Sequence, residues 1–180
     1  GPSAGPTLGG VIAAARAGRR LDFSEQATGD LGDRLRAAFA EAATRDELPL
    51  LMIGTDSPDL PADHVEHALR ALDAGADLVL GPAADGGVWC IGLRRPVEGL
   101  FEDLPWSTEH TGEALRNRAD GMRLNRHEAP AWFDCDTPED LDTLIDRLRE
   151  RPARAPHTHA WLIAHVRATD PEFEPRPLDS

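Results

Sequence analysis

Two aspartates stand where chemistry is most easily done. Asp56 follows the apolar run Leu48 to Ile53 within Gly54-Thr55-Asp56-Ser57-Pro58-Asp59, and Asp136 closes Asp134-Cys135-Asp136 after Ala131 to Phe133. Carboxylates at strand ends occupy the rim where open α/β sheets gather their ligands. Hard oxygen donors placed there can hold Mg²⁺ or Mn²⁺ and join it to a diphosphate. The same residues have a purely structural use, because Asp56 can open a turn and Asp136 can cap a helix.

Two further segments admit the same pair of readings. Gly81-Pro82-Ala83-Ala84-Asp85-Gly86-Gly87 joins two apolar runs; its glycines either let a ligand approach the backbone closely or make a plain turn. Gln26-Ala27-Thr28-Gly29-Asp30-Leu31-Gly32 either offers backbone N–H groups to an anion at a helix start or is a cap through Thr28 or Asp30. The other reactive residue types are less suggestive. Ser57 lacks a Gly-x-Ser-x-Gly setting. Cys90 lies in an apolar strand, and Cys135 sits between aspartates that raise its thiol pKa, so neither reads as a nucleophile. The seven histidines form no ligand set; His64 and His67 fall on a polar helix face and His157 and His159 in the tail, which predicts surface histidines.

These residues need a scaffold, and the apolar spacing supplies one. A short strand is possible at Val11 to Ala14. Leu31, Leu35, Ala38, Phe39 and Ala42 recur at helical spacing and predict a helix from Leu31 to Ala43. Leu48 to Ile53 suits a strand buried on both faces, Val65, Leu69 and Leu72 make one helical stripe, and Ala76 to Leu80 is a second strand, giving βαβ order. Val88 to Leu93 follows too closely for a parallel crossover and is expected to run antiparallel. Ser107 or Thr108 would cap a helix reaching about Arg118, with Glu109 in its first turn, and Met122 to Leu124 would be a brief strand. Thr137-Pro138-Glu139-Asp140 reads as a cap with proline at the first helical position, followed by a buried stripe of Leu141, Leu144, Ile145 and Leu148. A last helix is expected around Trp161, Leu162, His165 and Val166, ahead of a polar, proline-rich tail.

Composition narrows the partners. The 180 residues carry 19 basic against 32 acidic side chains, a formal charge of −13. Such an excess repels phosphate backbones and anionic lipid, which argues against nucleic acid or membrane as the partner. Every basic residue is Arg, so Schiff-base chemistry and a Walker-type phosphate lysine are excluded. A phosphorylated substrate would therefore need a metal or local arginines. Two cysteines and no long apolar run suit a reduced, cytoplasmic protein. The opening Gly1-Pro2-Ser3-Ala4-Gly5-Pro6 reads as a cleaved tag or cut start as much as a native one. The expected layout is residues 1–20 outside the fold, an α/β domain over 21–150, and a C-terminal helix and tail over 151–180.

Six segments occur in an order that resembles a known family. They are Gln26 with Gly29-Asp30-Leu31-Gly32-Asp33-Arg34, Gly54 to Leu60, Leu80 to Gly87, Ile91-Gly92-Leu93, Leu104-Pro105-Trp106-Ser107-Thr108, and Asp134 to Leu141. Together, over roughly Leu21 to Leu148, they are similar to the DUF2064 glycosyltransferases, relatives of the guanylyltransferase of coenzyme F420 synthesis. The resemblance implies a Rossmann-like GT-A fold, with a mostly parallel central sheet flanked by helices. It also implies a nucleotide or nucleotide-sugar donor, a small-molecule acceptor and a divalent Mg or Mn ion. By position, Asp56 and Asp136 would be the metal-binding, catalytic aspartates. Gln26, Gly29, Asp30 and Thr55 would lie on the donor side, Asp85, Gly86 and Gly87 would face the transferred group, and Trp106, Ser107 and Thr108 would form an acceptor-side lid.

One departure stands out. Family members open with a basic, glycine-containing loop that wraps the nucleotide phosphates, and nothing upstream of Gln26 matches it. Val88-Trp89-Cys90 also stands where the family carries aromatic, often tyrosine, residues. Two functions are therefore open: a metal-dependent glycosyl- or nucleotidyltransferase, or a non-catalytic domain of the same fold that docks a partner through the Trp161 helix. An uncovered sheet edge would favour a homo-dimer.

Overall fold

The structure, a computed structural model, describes residues 25–166. The possible strand at Val11 to Ala14 and the proline-rich tail lie outside that range. Helix α1 spans Leu31–Thr44; Asp30 caps it by accepting the Asp33 N–H at 2.9 Å, and Phe39 and Ala42 are its buried stripe. Strand β1 is Leu50–Ile53, shorter than the apolar run because Pro49 has no N–H for a ladder. Helix α2 (Ala62–Asp73) leads to β2 (Leu78–Pro82), and β3 (Val88–Leu93) turns back from it. Helix α3 (Thr111–Gly121), β4 (Arg126–Glu128), α4 (Pro138–Glu150), a short 3₁₀ turn (Pro152–Arg154) and α5 (Pro156–Val166) complete the described chain.

The sheet order is β1-β3-β2-β4. β3 pairs antiparallel with both β1 and β2, and only β2 and β4 pair in parallel. The sheet is therefore mixed, which corrects the expectation of a mostly parallel one. The cause is the short Ala83–Gly87 turn. It forces β3 antiparallel, as its spacing predicts, and β3 then inserts between β1 and β2, so both pairings at the sheet centre become antiparallel. β1, β2 and β4 nonetheless share one direction, and their carboxyl ends make a common rim.

Strand alternation sends side chains to two cores. Leu78, Leu80, Ile91 and Leu93 pack with Phe39, Leu100, Phe101, Leu115 and Ala119 beneath α1 and α3. Val79 and Cys90 face the other way, onto Ala68 and Leu72 of α2, with Trp89 and Ala129. The register shifts after Gly81, opposite Trp89. A Cβ on Gly81 would press on the Trp89 ring and, at 2.7 Å, on the Cys90 sulfur, so glycine makes room for the buried indole. A third cluster joins Leu144, Ile145 and Leu148 of α4 to Ala155 and to Leu162 of α5.

Several sequence expectations shift. α3 begins at Thr111, because Ser107 has φ +59° and the Thr108 hydroxyl is occupied in a turn, donating to the Pro105 carbonyl at 2.8 Å. Glu109 thus precedes the helix and Glu113 is the acidic residue of its first turn. Met122 ends α3 and Arg123 has φ +55°, so extended backbone starts only at Arg126, not at Met122 to Leu124. Leu69 and Leu141 are exposed, and the α2 stripe is instead completed by Ala68. At α4 the predicted cap holds: Thr137 Oγ1 accepts the Asp140 N–H, and Asp140 accepts the Thr137 N–H at 2.9 Å. Hydrogen bonds from the Thr137 hydroxyl and N–H hold the Asp140 carboxyl below its usual range.

Candidate functional site

The chain returns four times to the carboxyl rim. After β1 the Gly54–Leu60 loop presents Asp56, whose Oδ1 lies over Gly54, 2.6 Å from where a Cβ would stand. After β2 the turn presents Asp85, whose Oδ1 accepts the Gly87 N–H at 2.8 Å. After β4 the chain continues beside β2, with the Trp132 N–H donating to the Pro82 carbonyl at 3.0 Å, and then crosses the rim. It reaches the β1 loop, where the Cys135 N–H donates to the Asp56 carbonyl at 2.8 Å and Ser57 Oγ donates to Asp134 Oδ1 at 2.5 Å. The fourth return is the segment before α3, which packs on the Gly86-Gly87 turn.

The result is a group of carboxylates sharing one electrostatic environment. Asp134 is half-buried, and burial raises its pKa; Asp56, Asp85 and Asp136 raise it further by their charge, against the Ser57 hydrogen bond that lowers it. Asp56 and Asp136 thus both act by their charge on the Asp134 carboxyl. Asp56, Asp85 and Asp136 are exposed. Among the described residues no three such side chains form a preassembled metal cage. The donors are nevertheless all hard oxygens that repel one another, a set whose chemistry suits a Mg²⁺- or Mn²⁺-like ion. Burial pushes the Cys135 thiol up, with Asp140, Asp136 and Asp59 adding to it, and the Cys90 thiol is pushed up to about 12 by burial. Neither is a nucleophile.

A folded protein that holds the Asp134 proton more tightly than the unfolded chain gains stability below the ordinary carboxylate pKa and loses it as pH rises through the raised value. Asp134→Asn is therefore expected to melt above the parent at neutral and higher pH, with the difference closing toward about pH 3, near the unfolded carboxylate pKa. Melting temperatures across pH check this.

The loop is held by a buried ion pair that the sequence alone does not reveal. Asp59 is fully buried; its carboxylate accepts from Arg147 Nε of α4 at 2.9 Å and from Trp132 Nε1 at 3.3 Å. The Arg147 guanidinium lies 4.0 Å from the Trp132 ring centroid and 4.7 Å from that of Phe133. This knot ties the β1 loop, the strand crossing the rim and α4 together. The available signal was Asp59 itself, a second acid in the same loop, and an Arg beside the apolar stripe of α4.

The remaining predicted residues are placed as follows. Gly86 has φ +89°, and a Cβ there would strike the Glu109 carbonyl; the Gly112 N–H donates to the Gly86 carbonyl at 3.0 Å. What approaches this glycine is therefore the backbone before α3, which fixes Asp85 on the rim. Gly86→Ala is expected to cost about 2 kcal/mol or more, combining left-handed strain with the clash. Gly121→Ala, with open space around its Cβ, is expected to be neutral or slightly stabilising; thermal melts of the two separate these outcomes. Trp106 donates to the Phe101 carbonyl at 3.3 Å and covers Gly32, so it braces α1. Ser107, Thr108 and Thr55 are exposed on rim loops. Asp30 is the α1 cap, Gly29 has φ +111° and accepts from Arg34 Nε, and Gln26 lines a shallow pocket of about 230 Å³ with Leu31, Leu35 and Met52. The hydrogen bonds of Gly29 and Asp30 are local to the start of α1. His64 and His67 are not surface residues but half-buried: His64 stands edge-on to Trp132 at 5.1 Å, and burial, then Arg154, lowers its pKa.

The mixed α/β fold is similar to that of a solved structure named for the nucleotide-diphospho-sugar transferase class. A crystal structure from Desulfovibrio desulfuricans G20, of a protein named putative nucleotide-diphospho-sugar transferase, superimposes with a TM-score of 0.75 at 28% identity, over 90% of this chain and 71% of that one. The chain belongs to the DUF2064 family, uncharacterized proteins conserved in bacteria, whose model matches residues 4–108. That match begins upstream of Leu21, so family-like sequence reaches into the opening residues, and it ends before the Asp134–Asp136 segment. No curated protein matches the chain. No helix of the described residues is long and apolar enough to cross a membrane.

Proposed function

We propose that this chain is a metal-dependent transferase that moves a sugar or nucleotidyl group from a nucleotide or nucleotide-sugar donor to a small acceptor. The observation that supports this reading is the bonding of the Asp56 loop to the Asp134–Asp136 segment at the rim, in a fold similar to a nucleotide-diphospho-sugar transferase. A diphosphate approaching these carboxylates on a chain of charge −13 would need a metal ion or local arginines to offset the repulsion. Asp56 and Asp136, with Asp134 beside them, would hold Mg²⁺ or Mn²⁺. When bound, such an ion neutralises the diphosphate leaving group.

The chain's own groups supply orientation. Ser57 fixes the Asp134 carboxylate, and the Asp56 loop and the rim-crossing segment are bonded to each other, so the acids cannot drift apart independently. Asp85, held by the Gly87 N–H on a turn locked to α3, would face the transferred group. Thr55 with Gln26, Gly29 and Asp30 would line the donor side, and Trp106-Ser107-Thr108 the acceptor side; alignment of the two substrates is the main contribution such a site makes.

Calorimetry of a panel of nucleoside diphosphates and nucleotide-sugars with Mn²⁺ tests this. Binding in the roughly micromolar to millimolar range usual for substrates is expected, and it should vanish when the cation is chelated. No heat from any nucleotide, or heat indifferent to chelation, refutes the reading.

A further inference from the structure

Between helix α2 and the sheet edge, His67 of α2 and His127 of β4 meet end to end, with their Nε2 atoms 2.8 Å apart and their ring centroids 5.0 Å apart. The two come from elements far apart in sequence. His127 is in register with Val79, on the face of the sheet that α2 covers, and His67 lies one position before the fully buried Ala68. Neither ring is free to wander, since each backbone is fixed by a core contact or a ladder.

We propose that this pair is a two-histidine binding site for a borderline divalent transition cation of the Zn²⁺, Ni²⁺ or Cu²⁺ kind. Two imidazole nitrogens at hydrogen-bond distance share one proton: one ring is the Nε2–H tautomer and the other accepts. Moving that proton to Nδ1 of the same ring frees the second Nε2 lone pair, with no net proton released. Both residues are half-buried. Two Zn–N bonds at a tetrahedral angle need the nitrogens about 3.3 Å apart, so the rings must part by about half an ångström and tilt from facing each other toward a common point. Water completes the shell, as no third ligating side chain is in place among the described residues. Imidazole selects zinc, nickel or copper, whereas the carboxylate rim selects magnesium or manganese; the two sites are chemically separate. A cation here would clamp α2, which follows directly on the Asp56 loop, to the β4 edge.

The test is a Zn²⁺ titration of the full chain by calorimetry in saturating Mg²⁺. One Zn²⁺ site that Mg²⁺ does not displace is expected. His67→Gln and His127→Gln should each weaken it by at least the roughly 10–100-fold seen when even an outer-shell partner is lost, and His64→Gln should leave it unchanged. Electron paramagnetic resonance of the unmutated chain with one equivalent of Cu²⁺ should show two coordinating imidazole nitrogens, a readout that does not depend on the variants folding. Zinc affinity unmoved by both substitutions, zinc binding lost in Asp56→Ala instead, or a copper spectrum without two nitrogens overturns the proposal.

Discussion

Asp56→Ala is expected to abolish cation-dependent nucleotide binding, a loss of at least about 100-fold, while leaving the melting temperature nearly unchanged. The two halves of this result have separate causes. The Asp56 side chain is exposed, and a surface substitution away from packed features changes stability by about 0.5 kcal/mol at most. Its backbone carbonyl, which accepts from Cys135, survives the change, so the rim-crossing segment stays attached. What is removed is one hard oxygen ligand and one negative charge. The charge loss also relieves Asp134, whose raised pKa owes part of its shift to Asp56. Calorimetry with Mn²⁺ and nucleotide, read beside a thermal melt, measures both halves. Undiminished binding in a folded Asp56→Ala protein would remove Asp56 from the site.

Arg147→Ala is expected to have the opposite profile, with a large loss of stability as its primary effect. Asp59 is fully buried, and losing its ionic partner leaves an uncompensated charge with a single hydrogen bond, from Trp132. Breaking such a pair costs about 3–5 kcal/mol, which for a domain of this size lowers the melting temperature by roughly 10 °C. The guanidinium also stacks on Trp132 and Phe133, so the segment carrying Asp134 to Asp136 loses its support. Cation affinity should therefore weaken too, although Arg147 touches none of the carboxylates proposed to hold the ion. The double variant Asp59→Leu with Arg147→Met separates the explanations. Replacing both charges by apolar groups of similar volume is often neutral, so the double variant should recover most of the stability that the single one loses. A single variant as stable as the parent would show the pair to be dispensable.

The elements with strong local signals were legible from residue order. Periodicity located α1 and α4, and the Thr137-Pro138 cap starts where its chemistry requires, because capping needs only neighbours within one turn. The short glycine turn dictated an antiparallel β3. Residue types and strand-end positions also singled out Asp56 and Asp136, the family resemblance added Asp85, and chain-wide charge called for a metal or local arginines beside any diphosphate.

Long-range choices belonged to the tertiary structure. Nothing in the spacing says that β3 inserts between β1 and β2, since strand order depends on which faces can be buried together; that choice made the sheet mixed. The roles of Asp59, Arg147 and Trp132 arise from contacts between residues 73 and 88 positions apart. The pairing of His67 with His127 spans 60 positions. A side chain's chemistry travels with its letter in the sequence, but its charge state and its partner depend on burial and neighbours, and those exist only once distant segments have packed.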